Sequence, residues 1–159
     1  MENVTVEFDK EKQQVIFSAD EIEMSSRLIA GEFPPYEKVI PASKSISVVF
    51  DKEGLIEAVK RASLFARDSA NVVKLLIEGS NVTVTAQSDQ MGGSQSVIDA
   101  EVTGEDVKIA FNARYLLEYL ASVKEDKVMM ETEGELKPAV FKLPEAGFLH
   151  VIMPVRTQG

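Results

Sequence analysis

The chain has 159 residues, 45% of them apolar, enough for one domain with a proper core or for one domain and part of another. It has no cysteine and one histidine, His150, which excludes disulfides, cysteine-based metal or redox sites and histidine-cluster metal sites. A formal charge of −9 argues against a surface that grips nucleic acid all over, because electrostatic binding would need the 17 basic residues gathered on one face.

Along the chain, Val4, Val6 and Phe8 alternate, Asp9 to Gln13 form a polar turn, and Val15-Ile16-Phe17 resume, which predicts a β-hairpin. A third short strand follows through Ile22-Glu23-Met24. Gly31, Pro34, Pro35 and Pro41 then cluster, which argues against a helix and marks a connector. These first strands carry too little apolar surface for an independent core.

From Ile46 the pattern is fuller. Ile46, Val48 and Phe50 alternate as a strand, and Asp51 caps a helix running to about Arg67, with Leu55, Val59, Ala62 and Ala66 on one face. Strands are expected through Val73, Leu75 and Ile77, through Val82, Val84 and Ala86 after the turn Glu78-Gly79-Ser80-Asn81, and from Ser94 to Val102 after a Gly92-Gly93 break. The order then recurs. Val107, Ile109 and Phe111 form a strand, and Asn112 caps a helix whose apolar face is Leu116, Leu117, Leu120 and Val123. Strands follow near Val128 to Thr132, Ala139 to Leu143 and His150 to Val155.

The recurrence is visible in the letters themselves. Phe50-Asp-Lys-Glu-Gly-Leu-Ile-Glu and Phe111-Asn-Ala-Arg-Tyr-Leu-Leu-Glu lie 61 residues apart and place Phe, cap and Leu-x-Glu at the same offsets. Both halves read β-α-β-β-β, a duplicated half-domain of the kind that builds rings and pseudo-symmetric modules.

Catalysis finds little support. The carboxylates are scattered on positions read as solvent-facing, and His150 reads as a packed strand residue. Gly92-Gly93 is not followed by a helix and so makes no phosphate cradle. Met129, Met130 and Met153 read as core. No cofactor or metal is expected. The N-terminus Met1-Glu2-Asn3-Val4 lacks a signal pattern and no apolar run approaches about 18 residues, so a cytoplasmic location and no membrane partner are expected. Away from their apolar faces the helices carry Lys60, Arg61, Arg67, Arg114 and Lys124, a set able to face a nucleic-acid backbone if the helices lie side by side. Near the C-terminus, Val151-Ile152-Met153-Pro154-Val155-Arg156 is almost wholly apolar, and Pro154 requires the strand to end there or lie at an edge. With Phe33-Pro34-Pro35-Tyr36 it suggests a groove for a peptide.

The run Ser26-Arg27-Leu28-Ile29-Ala30-Gly31-Glu32-Phe33-Pro34-Pro35-Tyr36, then Val39-Ile40-Pro41, Phe111-Asn112 with Tyr115-Leu116-Leu117, and the terminal Val151 to Arg156 together resemble the bacterial sliding clamp, the β subunit of DNA polymerase III. The match is in the family's order and spacing and covers essentially the whole chain. It implies an α+β DNA clamp fold, a duplicated β-α-β-β-β unit with two helices packed on antiparallel sheets, preceded by a partial second clamp domain. By the resemblance, residues 1–32 are the C-terminal half of a middle domain, 33–44 an interdomain connector and 45–159 the third domain.

Three surfaces follow from the resemblance. A partner-peptide groove maps to Pro34, Lys38, Val39, Asn112, Tyr115, Ala139, Val151, Ile152, Met153, Pro154, Val155 and Arg156, the rest of it belonging to the absent part of the middle domain. Lys38 stands where an arginine is common, keeping the charge but not the planar fork. A ring interface maps to Leu64 and Phe65 with the strand carrying Gly92, Gln95 and Ile98, and the DNA-facing lining to the five cations named above. The implied function is a non-catalytic replication processivity factor, an accessory subunit of the polymerase holoenzyme. Its implied partners are duplex DNA, bound weakly and without sequence preference, and polymerase, clamp-loader and repair proteins carrying short clamp-binding motifs. Self-association is a further possibility. The competing reading is a free-standing β-rich interaction module without a DNA role.

Overall fold

In the computed structural model the described residues are 3–33, 35–41, 43–143 and 146–157, residue 146 by its backbone only. They fall into two compact units, Met1–Pro35 and Tyr36–Gly159.

The first unit is an antiparallel three-stranded sheet in the order β1 (Thr5–Asp9), β2 (Gln14–Ala19), β3 (Ile22–Arg27). Its register places Val6, Phe17 and Met24 in one row, with Phe8 beside Val15 and Ala19 beside Ile22, so the apolar side chains share one face. Asp9 holds the first turn by accepting from the backbone N–H groups of Glu11 and Lys12.

The second unit opens with one turn of 3-10 helix at Tyr36–Lys38, where the sequence predicted none. Pro35 directly precedes that turn, a position that loses no intrahelical hydrogen bond to proline. Strand β4 (Ile46–Asp51) feeds helix α1 (Lys52–Ala66), and Asp51 caps it by accepting from Gly54 N at 2.7 Å. Strands β5 (Val72–Glu78), β6 (Asn81–Ser88) and β7 (Gly92–Thr103) complete the first repeat. The second runs β8 (Val107–Asn112), α2 (Ala113–Ser122), β9 (Lys127–Thr132), β10 (Ala139–Leu143), β11 (Ala146–Ile152), with Asn112 capping α2 through Arg114 N at 2.9 Å.

The eight strands form one antiparallel sheet in the order β11-β10-β9-β4-β7-β6-β5-β8. The repeats exchange strands: Phe50 in β4 pairs with Val128 in β9, and its counterpart Phe111 in β8 pairs with Val73 in β5. The two ends of the order meet, because Val155, just beyond β11, donates from its backbone N to Ala110 O in β8 at 2.8 Å. The sheet therefore curls round its own core. Helix α1 packs against β4 to β7, α2 against β8 and β11, and the helices touch each other. Inward residues alternate along the strands, and Val48, Phe50, Leu75, Ile77, Val82, Ile109 and Phe111 are fully buried. Among the described residues no helix is long and apolar enough to cross a membrane.

Several expectations are corrected. Gly92 and Gly93 do not interrupt β7; they begin it, paired with Ser88 and Gln87. Gly92 sits at φ +84, a conformation glycine adopts without strain, where the chain turns into the strand. Strand β11 begins at Ala146 and ends at Ile152, ahead of Pro154, which cannot donate to a ladder. The buried face of α2 is Ala113, Leu116, Tyr119 and Leu120, while Leu117 is only partly buried and Val123 lies past the helix end. Met130 is core, but Met153 is 57% exposed because the chain leaves the sheet before it. Glu131 is not solvent-facing; it is buried beneath Lys44 and Lys142.

Candidate functional site

The helical repeat places Tyr115, Tyr119 and Ser122 on one side of α2, and β11 runs alongside with His150 to Met153. Between them lies a groove of about 590 Å³. Its rims are Tyr115 and Met153, 55% and 57% exposed, and its floor is Tyr119, 1% exposed. Tyr119 stacks on His150 with centroids 5.1 Å apart and packs against Phe141 at 5.0 Å. Phe148 lies parallel to it at 6.4 Å.

Burial favours the neutral form of both polar rings in this floor. It pushes the Tyr119 hydroxyl up to about 12, with the Glu125 charge adding to the effect, and it pushes the His150 imidazole down. The Tyr119 hydroxyl is buried with no hydrogen-bond partner among the described residues. The groove can therefore take an apolar side chain from a ligand, with Glu118, exposed and paired with Arg114, the one charged residue on its lining.

The expected groove residues divide. Tyr115, Val151, Ile152 and Met153 come together here. Ala139 is fully buried in β10 beside Ile152 and does not reach the groove surface. Asn112 is half-buried, with Oδ1 capping α2 and Nδ2 donating to Ala70 O at 3.4 Å. Lys38 and Val39 stand exposed on and just after the 3-10 turn and do not line the groove, and Pro34 lies outside the described residues. Val155 and Arg156 line a different cleft of about 760 Å³, walled by residues 155–157 and floored by β5, β6 and β7. Glu118, Tyr119, Ser122 and His150 also line the groove and were not among the residues expected from the sequence. The signal for Tyr119 was its spacing of four from Tyr115.

The five expected phosphate-facing cations are all exposed. Arg61 already bonds Glu57 at 3.4 Å and Ser96 at 3.2 Å, and Arg114 bonds Glu118 at 2.8 Å. Arg67 and Arg114 line a shallow cleft of about 360 Å³ between the helices, whereas Lys60 and Lys124 do not. Leu64 is 50% exposed, and Phe65 and Ile98 pack partly on the core. Strand β7 pairs with β6 from Gly92 to Asp99, but with β4 only from Ala100 to Thr103. On the side away from β6, its edge along Gly92, Gln95 and Ile98 thus has no strand partner among the described residues.

Comparison with known proteins agrees with this architecture. The family model describing the C-terminal domain of the DNA polymerase III beta subunit matches residues 37–156. The beta sliding clamp of Staphylococcus aureus is 31% identical over 147 residues, which is 91% of this chain and 39% of that protein. The crystal structure of the sliding clamp from Bartonella birtlesii bound to griselimycin is 28% identical with a TM-score of 0.84, covering 97% of this chain and 41% of that one. The DNA polymerase III beta subunit of Thermotoga maritima is 26% identical with a TM-score of 0.81, over 98% and 42%. The chain thus spans about two fifths of the length of the relatives it matches. With the duplicated strand-helix unit, the curled sheet and the family match over most of its length, this chain belongs to the DNA polymerase III beta subunit family, the sliding clamps.

Proposed function

We propose that this chain is the C-terminal part of a replication sliding clamp: residues 1–32 half of a middle domain, 33–44 the connector, 45–159 the third domain. Its role is to hold DNA polymerase and other DNA-processing proteins at duplex DNA as a non-catalytic processivity factor, recruiting them through short motifs. Clamp-loader and repair proteins are partners of the same kind. The observation that carries the reading is the groove between α2 and β11, where Tyr115 and Met153 stand exposed over a neutral aromatic floor. Such a concave, mostly apolar site suits the anchor residues of an extended peptide. Membership of the clamp family supports it.

The lining and the interface complete the proposal. Lys60, Arg61, Arg67, Arg114 and Lys124 face DNA phosphates loosely, since two of the five are already held by helical neighbours. Loose contact suits a ring that slides. Leu64, Phe65 and the open edge of β7 form the ring-closing surface.

The test is a fluorescence-labelled peptide of the Gln-Leu-x-Leu-Phe type titrated with the chain. Met153→Ala and Tyr115→Ala each remove one rim of the groove and weaken binding by about 1–3 kcal/mol. Equal affinity for wild type and both variants would place the peptide elsewhere and sink the reading.

A further inference from the structure

The terminal segment walls two clefts. Residues 151–153 face the groove on α2, and residues 155–157 face the cleft on β5 to β7, with only Pro154 between them.

The second cleft differs in chemistry from the first. Its floor is a cross-strand row of Lys74, Thr85 and Gln95, side by side on the sheet face away from the core. Lys74 is half-buried there and Arg156 stands at the wall; neither makes an ion pair among the described residues. Asp89 is the one carboxylate among its lining residues. In a chain of charge −9, a cleft with an excess of cations is not simply what the composition produces.

We propose that this cleft receives acidic residues flanking the motif that occupies the groove, with Lys74 and Arg156 meeting their carboxylates. The proposal rests on the groove being the motif's site. Continuity along the terminal segment brings the flank of a groove-bound peptide to the cleft, and charge complementarity selects its chemistry. The groove then supplies anchoring, and the cleft ranks partners that share the same anchor residues.

Three labelled peptides on the full chain test this: the motif with Gly-Ser flanks, with an acidic N-terminal flank and with an acidic C-terminal flank. One acidic placement binds about three- to tenfold tighter than the Gly-Ser peptide at low ionic strength, the scale expected of two exposed charge pairs. That gain shrinks in Lys74→Ala, which leaves only the Arg156 pair, and disappears in about 0.5 M salt, while the Gly-Ser peptide binds Lys74→Ala as it binds wild type. No gain from either acidic flank, or a gain undiminished by Lys74→Ala, overturns the proposal while leaving the groove intact. Silence of all three peptides overturns the groove reading and this extension with it.

Discussion

Glu131 is a buried carboxylate held by two cations, Lys44 ahead of β4 and Lys142 on β10. Burial alone would raise its carboxyl, but hydrogen bonds from Lys142 and Lys44 outweigh that and hold it below its ordinary value of 4.5. A carboxyl lowered by folding adds stability above its unfolded value and loses it as pH falls through the folded one. Denaturant unfolding followed from neutral pH downward will therefore show wild type losing this contribution below about pH 4.5, whereas Glu131→Gln lacks it throughout. At neutral pH the variant is less stable by about 1–2 kcal/mol, below the figure for a fully enclosed pair because Lys44 and Lys142 reach solvent. Identical pH profiles for the two proteins would refute this. In the sequence Glu131 sits among alternating residues like any outward carboxylate; only the tertiary approach of Lys44 distinguishes it.

The turn between β7 and β8 depends on Gly104, at φ +111, where a Cβ would lie 2.2 Å from Ser45 O. Both the backbone conformation and the contact exclude a larger residue. Gly104→Ala should lower stability by more than about 2 kcal/mol, read as a shift in urea midpoint without a change in slope. A midpoint within error of wild type would contradict the contact. At this scale the sequence is most informative. Alternation and caps located β4, α1, β5, β6, β8 and α2, because these segments bury one face against a single core and must keep a strict period. The misplaced parts have physical causes. Gly92-Gly93 carries the turn residues of a break, yet Gly92, at φ +84, serves the start of a paired strand. Tyr119 was passed over on α2 because tyrosine carries a hydroxyl that ordinarily seeks water, and here it is buried. Of the terminal residues the resemblance assigned, Val151 to Met153 line the groove on α2, whereas Ala139 faces the core and Arg156 a separate cleft, distinctions set by strand direction and not by composition. The second cleft was not legible at all, since Lys74, Thr85 and Gln95 read as ordinary outward strand residues until register aligns them.

For the molecule as a whole, the buried core among the described residues is drawn from Ile46 to Ile152, within the second unit. Residues 36–159 prepared alone are thus expected to unfold in one cooperative calorimetric transition, with calorimetric and van't Hoff enthalpies equal. A broad transition, or enthalpies that disagree, would show that this core is not self-sufficient. The exchange of strands between repeats supports a single transition, because neither half can complete its sheet without the other. The bond from Val155 to Ala110 has a consequence beyond architecture. It is the seam at which the curled sheet shuts, and the residues flanking it wall both clefts. A domain opened at that seam by heat, damage or incomplete folding loses both clefts in the same event, and with them the recruiting surface proposed for the groove. Partners that read this surface would thereby test the soundness of the fold before committing to it.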